Sequence, residues 1–268
     1  MKLLFLLFLT RASANMFNFD CQLTELPDIS SDHTEEIYVV RDHPSNREWN
    51  KEFTLENMNK SIHSKVIPHM KPLNAPDDFK IMRFSDFLKK HILKYDDKSL
   101  EEILMNDYEE RMLFPFVNHS HTIFPSLTGG HSCEYMEEYA LKVNKDYFVG
   151  AKGSGVNFHQ HHEIFNQLVS GKKLWLILDD YSSLSGIHGP SDIISPKIME
   201  LVELDGIKMC IMEPGDIIHL PKDTIHATFN LETSISSACI ASQNTDIIYP
   251  KHNLEDLIGE SVGIEVIQ

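Results

Sequence analysis

Two stretches of the sequence place histidines where they could bind one metal ion. The first is Gly153-Ser-Gly-Val-Asn-Phe-His159-Gln-His161, and the second runs from Gly215 to Asn230 and contains His226. Residues i and i+2 of a β-strand point to the same face, about 7 Å apart, so His159 and His161 can face the same ion. A third imidazole from a distant strand would complete a mononuclear site of the kind found in jelly-roll barrels.

The spacing alone is weak support, because the chain holds 15 His in 268 residues. About one H-x-H pair arises by chance at that composition, and His119 with His121 forms a second such pair. The context of His159 and His161 differs, since glycines precede them and the apolar run Gly171–Leu178 follows. The alternative is that the three are satisfied core histidines. We predict a metal site.

The run from Tyr147 to Ser237 resembles a JmjC domain of the cupin superfamily. The segments GAKGSGVNFH, GKKLWLIL, EPGDIIHLP and IHATFNLETS are similar to the family's sequence blocks and follow the same order. The stretch from Gly215 to Asn230 also fits the cupin pattern, except that Asp223 stands where that pattern has its second Gly. The resemblance implies a mainly β fold, a double-stranded β-helix (jelly-roll/cupin, JmjC-type) with N-terminal flanking helices.

The resemblance also implies a chemistry. JmjC relatives with H-x-Asp/Glu…His bind Fe(II), chelate 2-oxoglutarate and use O₂ to hydroxylate or demethylate a substrate. By that resemblance the metal ligands are His159, His161 and His226. Lys173 matches the cation that pairs with the distal carboxylate of 2-oxoglutarate, although it could instead be a solvated lysine at a strand edge. Asn157 is expected to help line the co-substrate pocket.

His161 stands where most relatives have a carboxylate, although the secretory-pathway branch of the family shares H-x-H. A neutral imidazole in place of an anion leaves the site one charge unit more positive, which disfavours higher oxidation states. Glu163 lies about 13 Å from His159 along an extended strand, so we expect it to have a structural or supporting role. Several neighbours are expected to lie outside the ligand set: Gln160, His162, His219, Trp175 and Phe229.

Three functions fit these observations. The first is a metal-dependent JmjC-type oxygenase that acts on an unknown protein or small-molecule substrate. The second is a catalytically inactive JmjC-fold protein that serves as a lumenal interaction or scaffold protein. The third is a three-His cupin enzyme independent of 2-oxoglutarate, which would tolerate loss of Lys173. Substrate choice is expected to depend on loops around the barrel mouth, at Phe114–His131 and Tyr181–Pro196.

The N-terminus predicts entry into the secretory pathway. Lys2 precedes the apolar run Leu3–Leu9, and Ala12-Ser-Ala14 fits a signal-peptidase site, so residues 1–14 are predicted to be a signal peptide. The alternative is an apolar N-terminal strand of a cytosolic protein. We expect the endoplasmic reticulum lumen. Secretion is the alternative, because Gly263–Gln268 is not a lumenal retention signal. No other segment has the roughly 20 apolar residues of a membrane span.

The net charge and the cysteines indicate which partners and which disulfides the protein could have. A net charge of −16 argues against nucleic acid as a partner. The sequons at Asn59 and Asn118 would accept glycans in the secretory pathway. The chain's 4 Cys permit two disulfides in three connectivities, which the sequence does not choose among. Buried free thiols at Cys210 and Cys239 are the alternative. The four positions are Cys21, Cys133, Cys210 and Cys239.

The remaining pattern predicts the elements that hold these residues. We divide the chain into the signal peptide, an N-terminal flank at 15–130 and the barrel at 131–268. Helices are predicted at Phe53–His63, Asp86–Tyr95, Leu100–Asp107 and Ile194–Leu201. The segment Phe114–Gly130 is predicted to be an ordered surface loop because it contains turn residues. Strands are predicted near 147–151, 156–162, 172–178, 207–212, 216–220, 225–230 and 234–241.

Overall fold

A computed structural model describes the parts of the chain that build the barrel and its immediate flank. The described residues are 22–23, 35–43, 54–62, 66–70, 80–100, 102–103, 114–118, 133, 136–137, 143–178 and 207–241. The predicted signal peptide, the predicted helix Ile194–Leu201 and the proposed substrate loop Tyr181–Pro196 lie outside them.

Short apolar runs separated by turns form two facing antiparallel sheets. The barrel strands are β6 (Val143–Gly150), β7 (Gly155–His159), β8 (Ile164–Ser170), β9 (Lys173–Leu178), β10 (Ile207–Met212), β11 (Ile217–Leu220), β12 (Ile225–Asn230) and β13 (Ser234–Ala241). In the larger sheet they follow the order β11-β8-β13-β6, and in the smaller sheet the order is β10-β9-β12-β7. This is the arrangement of a jelly roll, as the sequence predicted.

The space between the two sheets is filled by alternate residues of their strands. Trp175 and Ile177 of β9 pack with Leu168 of β8 and Ala238 of β13 in one buried cluster. The opposite face of β9, with Leu174, joins a second cluster on the outside of the smaller sheet. Both faces of these strands are therefore buried, and β8 and β12 show almost no exposed position.

The N-terminal flank extends the larger sheet and covers its outer face. Strand β2 (Tyr38–Val40) pairs with β11 at one edge, and just after it Arg41 forms an ion pair with Asp216. At the other edge β5 pairs with β6. The remaining flank elements are β1 (Gln22–Leu23), α1 (Leu55–Ile62), β3 (Val66–Met70), β4 (Lys80–Arg83), α2 (Phe84–Phe87), a π-helical turn (Leu88–Ile92), α3 (Leu93–Asp96) and β5 (Phe114–Asn118).

The run from α2 to α3 is an amphipathic helical segment that packs on the outer face of the barrel. Its buried residues Phe84, Phe87, Ile92 and Tyr95 contact the cluster that contains Tyr147 of β6. This segment confirms the helix predicted at Asp86–Tyr95, and α1 confirms the helix predicted at Phe53–His63. Among the described helices, none combines the length and apolar character needed to span a bilayer.

Two of the predicted elements need correction. β7 confirms the strand predicted at 156–162 as far as His159, where it ends, and strand β8, which begins at Ile164, was not predicted. Because β8 is buried on both faces and has Asn166 and Gln167 in its middle, it shows neither the alternation of a half-exposed strand nor an unbroken apolar run. The predicted surface loop Phe114–Gly130 begins with β5, and the rest of it is not described. Of the predicted helix Leu100–Asp107, residues 100 and 102–103 are helical.

A disulfide joins Cys133 to Cys239 of β13 across a sequence separation of 106 residues. Cys239 is therefore bonded, which corrects the alternative of a free thiol there. Cys210 is the buried free cysteine of the described residues, as that same alternative allowed, and burial raises the pKa of its thiol to about 12. Cys21 lies outside the described part of the chain.

Candidate metal centre

The three predicted histidine ligands meet at one end of the barrel. One ligand nitrogen from each of His159, His161 and His226 lies within 4.8 Å of the others. The ring centroids are 4.3 Å apart for His159 and His226, 4.8 Å for His161 and His226, and 5.3 Å for His159 and His161. These separations suit convergence on a single ion, because imidazole binds metals at about 2.0–2.1 Å.

The pairing of β7 with β12 sets the position of two of the three rings. His159 and His226 are direct register partners, and a bulge follows them, because the next pairing joins Thr228 to Val156. Side chains of directly opposed residues lie on the same face of a sheet, so the sheet itself brings these two imidazoles together. His161 lies two residues beyond the end of β7 and depends on other contacts.

Hydrogen bonds select the tautomer of two of the rings. His161 Nδ1 lies 2.6 Å from the carbonyl oxygen of His162, and His226 Nδ1 lies 2.9 Å from that of Thr224. A carbonyl oxygen can only accept, so Nδ1 carries the proton in both rings. Each Nε2 then keeps its lone pair for a metal ion, which is the usual arrangement of metal-bound histidine.

The electrostatics of the site favour neutral rings. Burial lowers the pKa of His161. Burial, followed by the neighbouring His159 and His161, lowers the pKa of His226 well below its usual range. A neutral imidazole is the form that binds a metal. The donor set, with two of its rings pre-oriented, therefore fits a divalent transition metal, and Fe(II) is within its range.

The turn that precedes His226 also supports His161. The backbone N–H of Asp223 donates to the carbonyl oxygen of His161 at 2.8 Å. Asp223 has a φ of 63°, in the left-handed region that glycine adopts most easily. This explains why the cupin pattern has glycine at the position. Asp is one of the few other residues that tolerate this conformation.

Glu163 and His219 do not join the ligand set. Glu163 Oε1 lies 2.9 Å from His219 Nε2, as the expectation of a supporting role for Glu163 implied. His219 is fully buried and stacks at 4.7 Å on Tyr38. Of the other excluded residues, Gln160 is exposed, Trp175 is buried 5.5 Å from the His226 ring, and Phe229 packs in the outer cluster of the smaller sheet.

Lys173 is buried deeper in the same interior, where the sequence left open a solvated position. Its side chain is 3% exposed and its Nζ donates to Ser236 Oγ of the facing sheet at 2.8 Å. Burial lowers the pKa of this ammonium group to about 7. Within the described residues no carboxylate pairs with it, and a buried ammonium without a counter-ion favours an anionic ligand. Asn157 lies on β7, and its side chain is not described.

Asp146 and Asn166 are interior polar residues that the sequence analysis missed. Both are register partners of Ala238 on β13, so they lie in the row between Ser236 and Ile240. Asp146 Oδ1 and Asn166 Oδ1 are buried without a hydrogen-bond partner among the described residues. Burial raises the pKa of Asp146 to about 7. One indication was present in the sequence. Asp146 lies two residues before Phe148 in the same strand, so both side chains point to the same face, and Phe148 packs against the interior cluster.

Comparison with known families agrees with this geometry. Residues 121–246 match the family model of the JmjC domain. The match spans the three histidines, Lys173 and all eight barrel strands, and it supports the JmjC/cupin interpretation of the fold. JmjC domains generally bind Fe(II). No curated protein matches the chain significantly.

We predict that the left-handed conformation at position 223 decides which residues the turn accepts. Asp223→Gly should leave the free energy of unfolding within about 0.5 kcal/mol of the wild type. Asp223→Val should lower it by roughly 1–2 kcal/mol, because a β-branched side chain clashes at positive φ. Denaturant unfolding of the metal-free protein measures both. Lys222→Val, at the neighbouring exposed position, is the matched control, and an equal loss there would contradict the explanation.

Proposed function

We propose that this protein is a metal-dependent oxygenase of the JmjC type that uses Fe(II) and 2-oxoglutarate. The observation that carries the proposal is a three-histidine centre that shares one barrel interior with a buried ammonium group, for which the described residues provide no carboxylate partner. A buried ammonium group without a counter-ion costs free energy, so a ligand explains its position better than core stability does. Together they would bind a small anion that also reaches the metal.

The separation of the two features supports a short dicarboxylate. His226 pairs with Ile177 of β9, whereas Asn230 pairs with Lys173. Lys173 therefore lies four residues along β9 from the level of His226, a Cα separation of about 13 Å. A chain of a few carbon atoms that binds the metal at one end could place a distal carboxylate beside Lys173 over such a separation.

In this proposal the residues of the site would have separate roles in binding the metal, the co-substrate and the substrate. His159, His161 and His226 would hold Fe(II), which when bound supplies the activation of O₂. Lys173, steadied by Ser236, would hold the distal carboxylate of the co-substrate and fix its orientation. Trp175 and the apolar residues that pack with it would keep water away from the co-substrate. The substrate, whether a protein or a small molecule, would enter from the mouth.

Because His161 stands in the carboxylate position, two other functions also fit the site. Three neutral ligands leave Fe(II) with its full positive charge, which disfavours oxidation. A three-His cupin enzyme that does not use 2-oxoglutarate would fit the same metal centre. An inactive JmjC-fold interaction protein, with the metal as a structural element, would fit it also. The buried Lys173 favours the co-substrate proposal over both.

We also propose that the protein is located in the secretory pathway, in the endoplasmic reticulum lumen or outside the cell. The predicted signal peptide and the Cys133–Cys239 disulfide support this, since disulfides persist in oxidising compartments. The H-x-H motif adds a resemblance to JmjC domain-containing protein 8 of that pathway. The two glycosylation sequons add little support for this location. Asn59 lies within helix α1 and Asn118 within strand β5, rather than in surface loops.

We predict that the Fe(II)-loaded protein, titrated anaerobically with 2-oxoglutarate, develops a visible charge-transfer band. Lys173→Ala should abolish the band at concentrations that saturate the wild type, because the distal carboxylate loses its partner. His226→Ala should abolish it by loss of the metal. Absorbance spectroscopy and metal analysis of the same samples separate the two causes.

The neighbouring Lys172 provides the matched control. It is more exposed and pairs with Glu213 on the surface, so Lys172→Ala should keep the band. Metal binding without a band in the wild type would favour the three-His cupin enzyme or a structural metal. A wild-type protein that binds no metal would leave only the interaction protein.

We predict that 2-oxoglutarate binds more weakly as the pH rises above about 7. Burial lowers the pKa of Lys173 to about 7 and raises that of Asp146 to about 7. Above that pH the ammonium becomes neutral and the carboxyl becomes negative, and both changes disfavour a dianion. Each linked proton contributes up to about tenfold per pH unit. Titrations across this range should show a shallower slope for Asp146→Asn, and an identical slope would exclude Asp146 from the linkage.

We predict that the chain expressed in the secretory pathway of cultured cells begins at Asn15. Signal peptidase would cleave after Ala14, and the mature chain should yield a non-reduced peptide pair linking Cys133 to Cys239. Mass spectrometry of the purified chain measures both. An intact Met1 terminus with reduced cysteines would instead indicate a cytosolic protein.

A further inference from the structure

His161 is the one histidine of the candidate centre that the sheet does not fix. His159 and His226 are register partners in paired strands, so the backbone ladder sets their separation. His161 lies in the connection between β7 and β8, where residues 160–163 belong to neither strand. A ligand in such a connection can satisfy a metal only if other contacts restrict the connection, because metal–ligand distances tolerate only about 0.2 Å.

The connection is held at several points. The carbonyl oxygen of His161 accepts from the Asp223 N–H at 2.8 Å, and that of Glu163 accepts from the Ala241 N–H at 3.0 Å. The side chain of Glu163 makes the third contact, because its Oε1 lies 2.9 Å from His219 Nε2. This third contact is the one that a side-chain substitution can remove while the backbone hydrogen bonds stay in place.

His219 is itself fixed on every side. Its ring lies between Tyr38 at 4.7 Å and Phe165 at 4.6 Å, and its Nδ1 lies 2.7 Å from the carbonyl oxygen of Glu36. The carbonyl oxygen of Glu36 can only accept, so Nδ1 donates to it, and Nε2 is left for the hydrogen bond with the Glu163 carboxyl group. With no exposed surface, His219 is a rigid attachment point on β11.

We propose that Glu163 and His219 are positioning residues that set metal affinity by holding His161 in place. The inference rests on the proposed metal centre and deepens it. It also gives the N-terminal flank a part in the site, because Glu36 and Tyr38 lie outside the region that matches the JmjC family model. Supporting residues of this kind alter metal affinity by about 10–100-fold in characterised sites.

Titration of the metal-free protein with Co(II), followed by visible absorbance, tests the proposal without turnover or co-substrate. Glu163→Met keeps the length of the side chain and removes the acceptor, and His219→Phe keeps the stacked ring and removes the donor. Each should weaken Co(II) binding by about tenfold or more. Glu163→Gln keeps an oxygen acceptor for the His219 N–H and should weaken binding less.

The decisive measurement places Glu163→Met in a His161→Ala background. If Glu163 acts through His161, the second substitution causes no further loss of Co(II) affinity, because effects that share one path are not additive. Glu213→Met, which alters an exposed carboxylate paired only at the surface with Lys172, is the matched control and should leave affinity unchanged.

Three results would overturn the proposal. Glu163→Met could weaken binding equally in both backgrounds, which would make Glu163 act independently of His161. It could lower the thermal stability of the metal-free protein and leave Co(II) affinity intact, which would make the contact purely structural. His219→Phe could bind Co(II) like the wild type. A wild-type protein that binds no Co(II) or Fe(II) would instead contradict the metal centre itself.

Discussion

The pairing of β7 with β12 is the constraint on which the candidate centre depends. It aligns His159 with His226 directly, and a slip of one residue would turn one of the two rings to the outside of the smaller sheet. The bulge beside this pair absorbs an extra residue of β7, so the rest of the strand can pair while the histidines stay opposed. Everything else at the site, including the β7–β8 connection and Lys173, is placed relative to this pair.

The barrel contains groups that stabilise the fold and, in its interior, groups that destabilise it. Apolar clusters on both faces of the strands supply the hydrophobic stabilisation. Against this, the interior buries Lys173, Asp146 and Asn166 with few partners. Such groups are expensive in a core and are common where a ligand binds. The helical segment from α2 to α3 adds packing on the outer face of the larger sheet, whereas Val39 of β2 packs in the interior cluster with Trp175.

Sequence reasoning was most successful where local pattern and function coincide. Regular strand geometry predicted that His159 and His161 face the same side, and the surrounding motifs with their family resemblance added His226. Strand β8 was not predicted, since Asn166 and Gln167 interrupt the apolar run by which β9, also buried on both faces, was recognised. Asp146 was missed for a related reason: its significance depends on which strands lie beside it, and one sequence does not state that. The partner of Glu163 likewise required the register of β11 against β8.

The place of β13 in the sheet has a consequence for how the chain acquires its structure. β13 is the last barrel strand in the sequence, yet it lies between β6 and β8 and pairs with both. During synthesis from the N-terminus, the centre of the larger sheet is therefore the last part to arrive. Until then β6 and β8 present unpaired edges, a state prone to aggregation. The bond from Cys133 to Cys239 can close only after that arrival, and it then ties this late strand to a segment that precedes the whole barrel in the sequence.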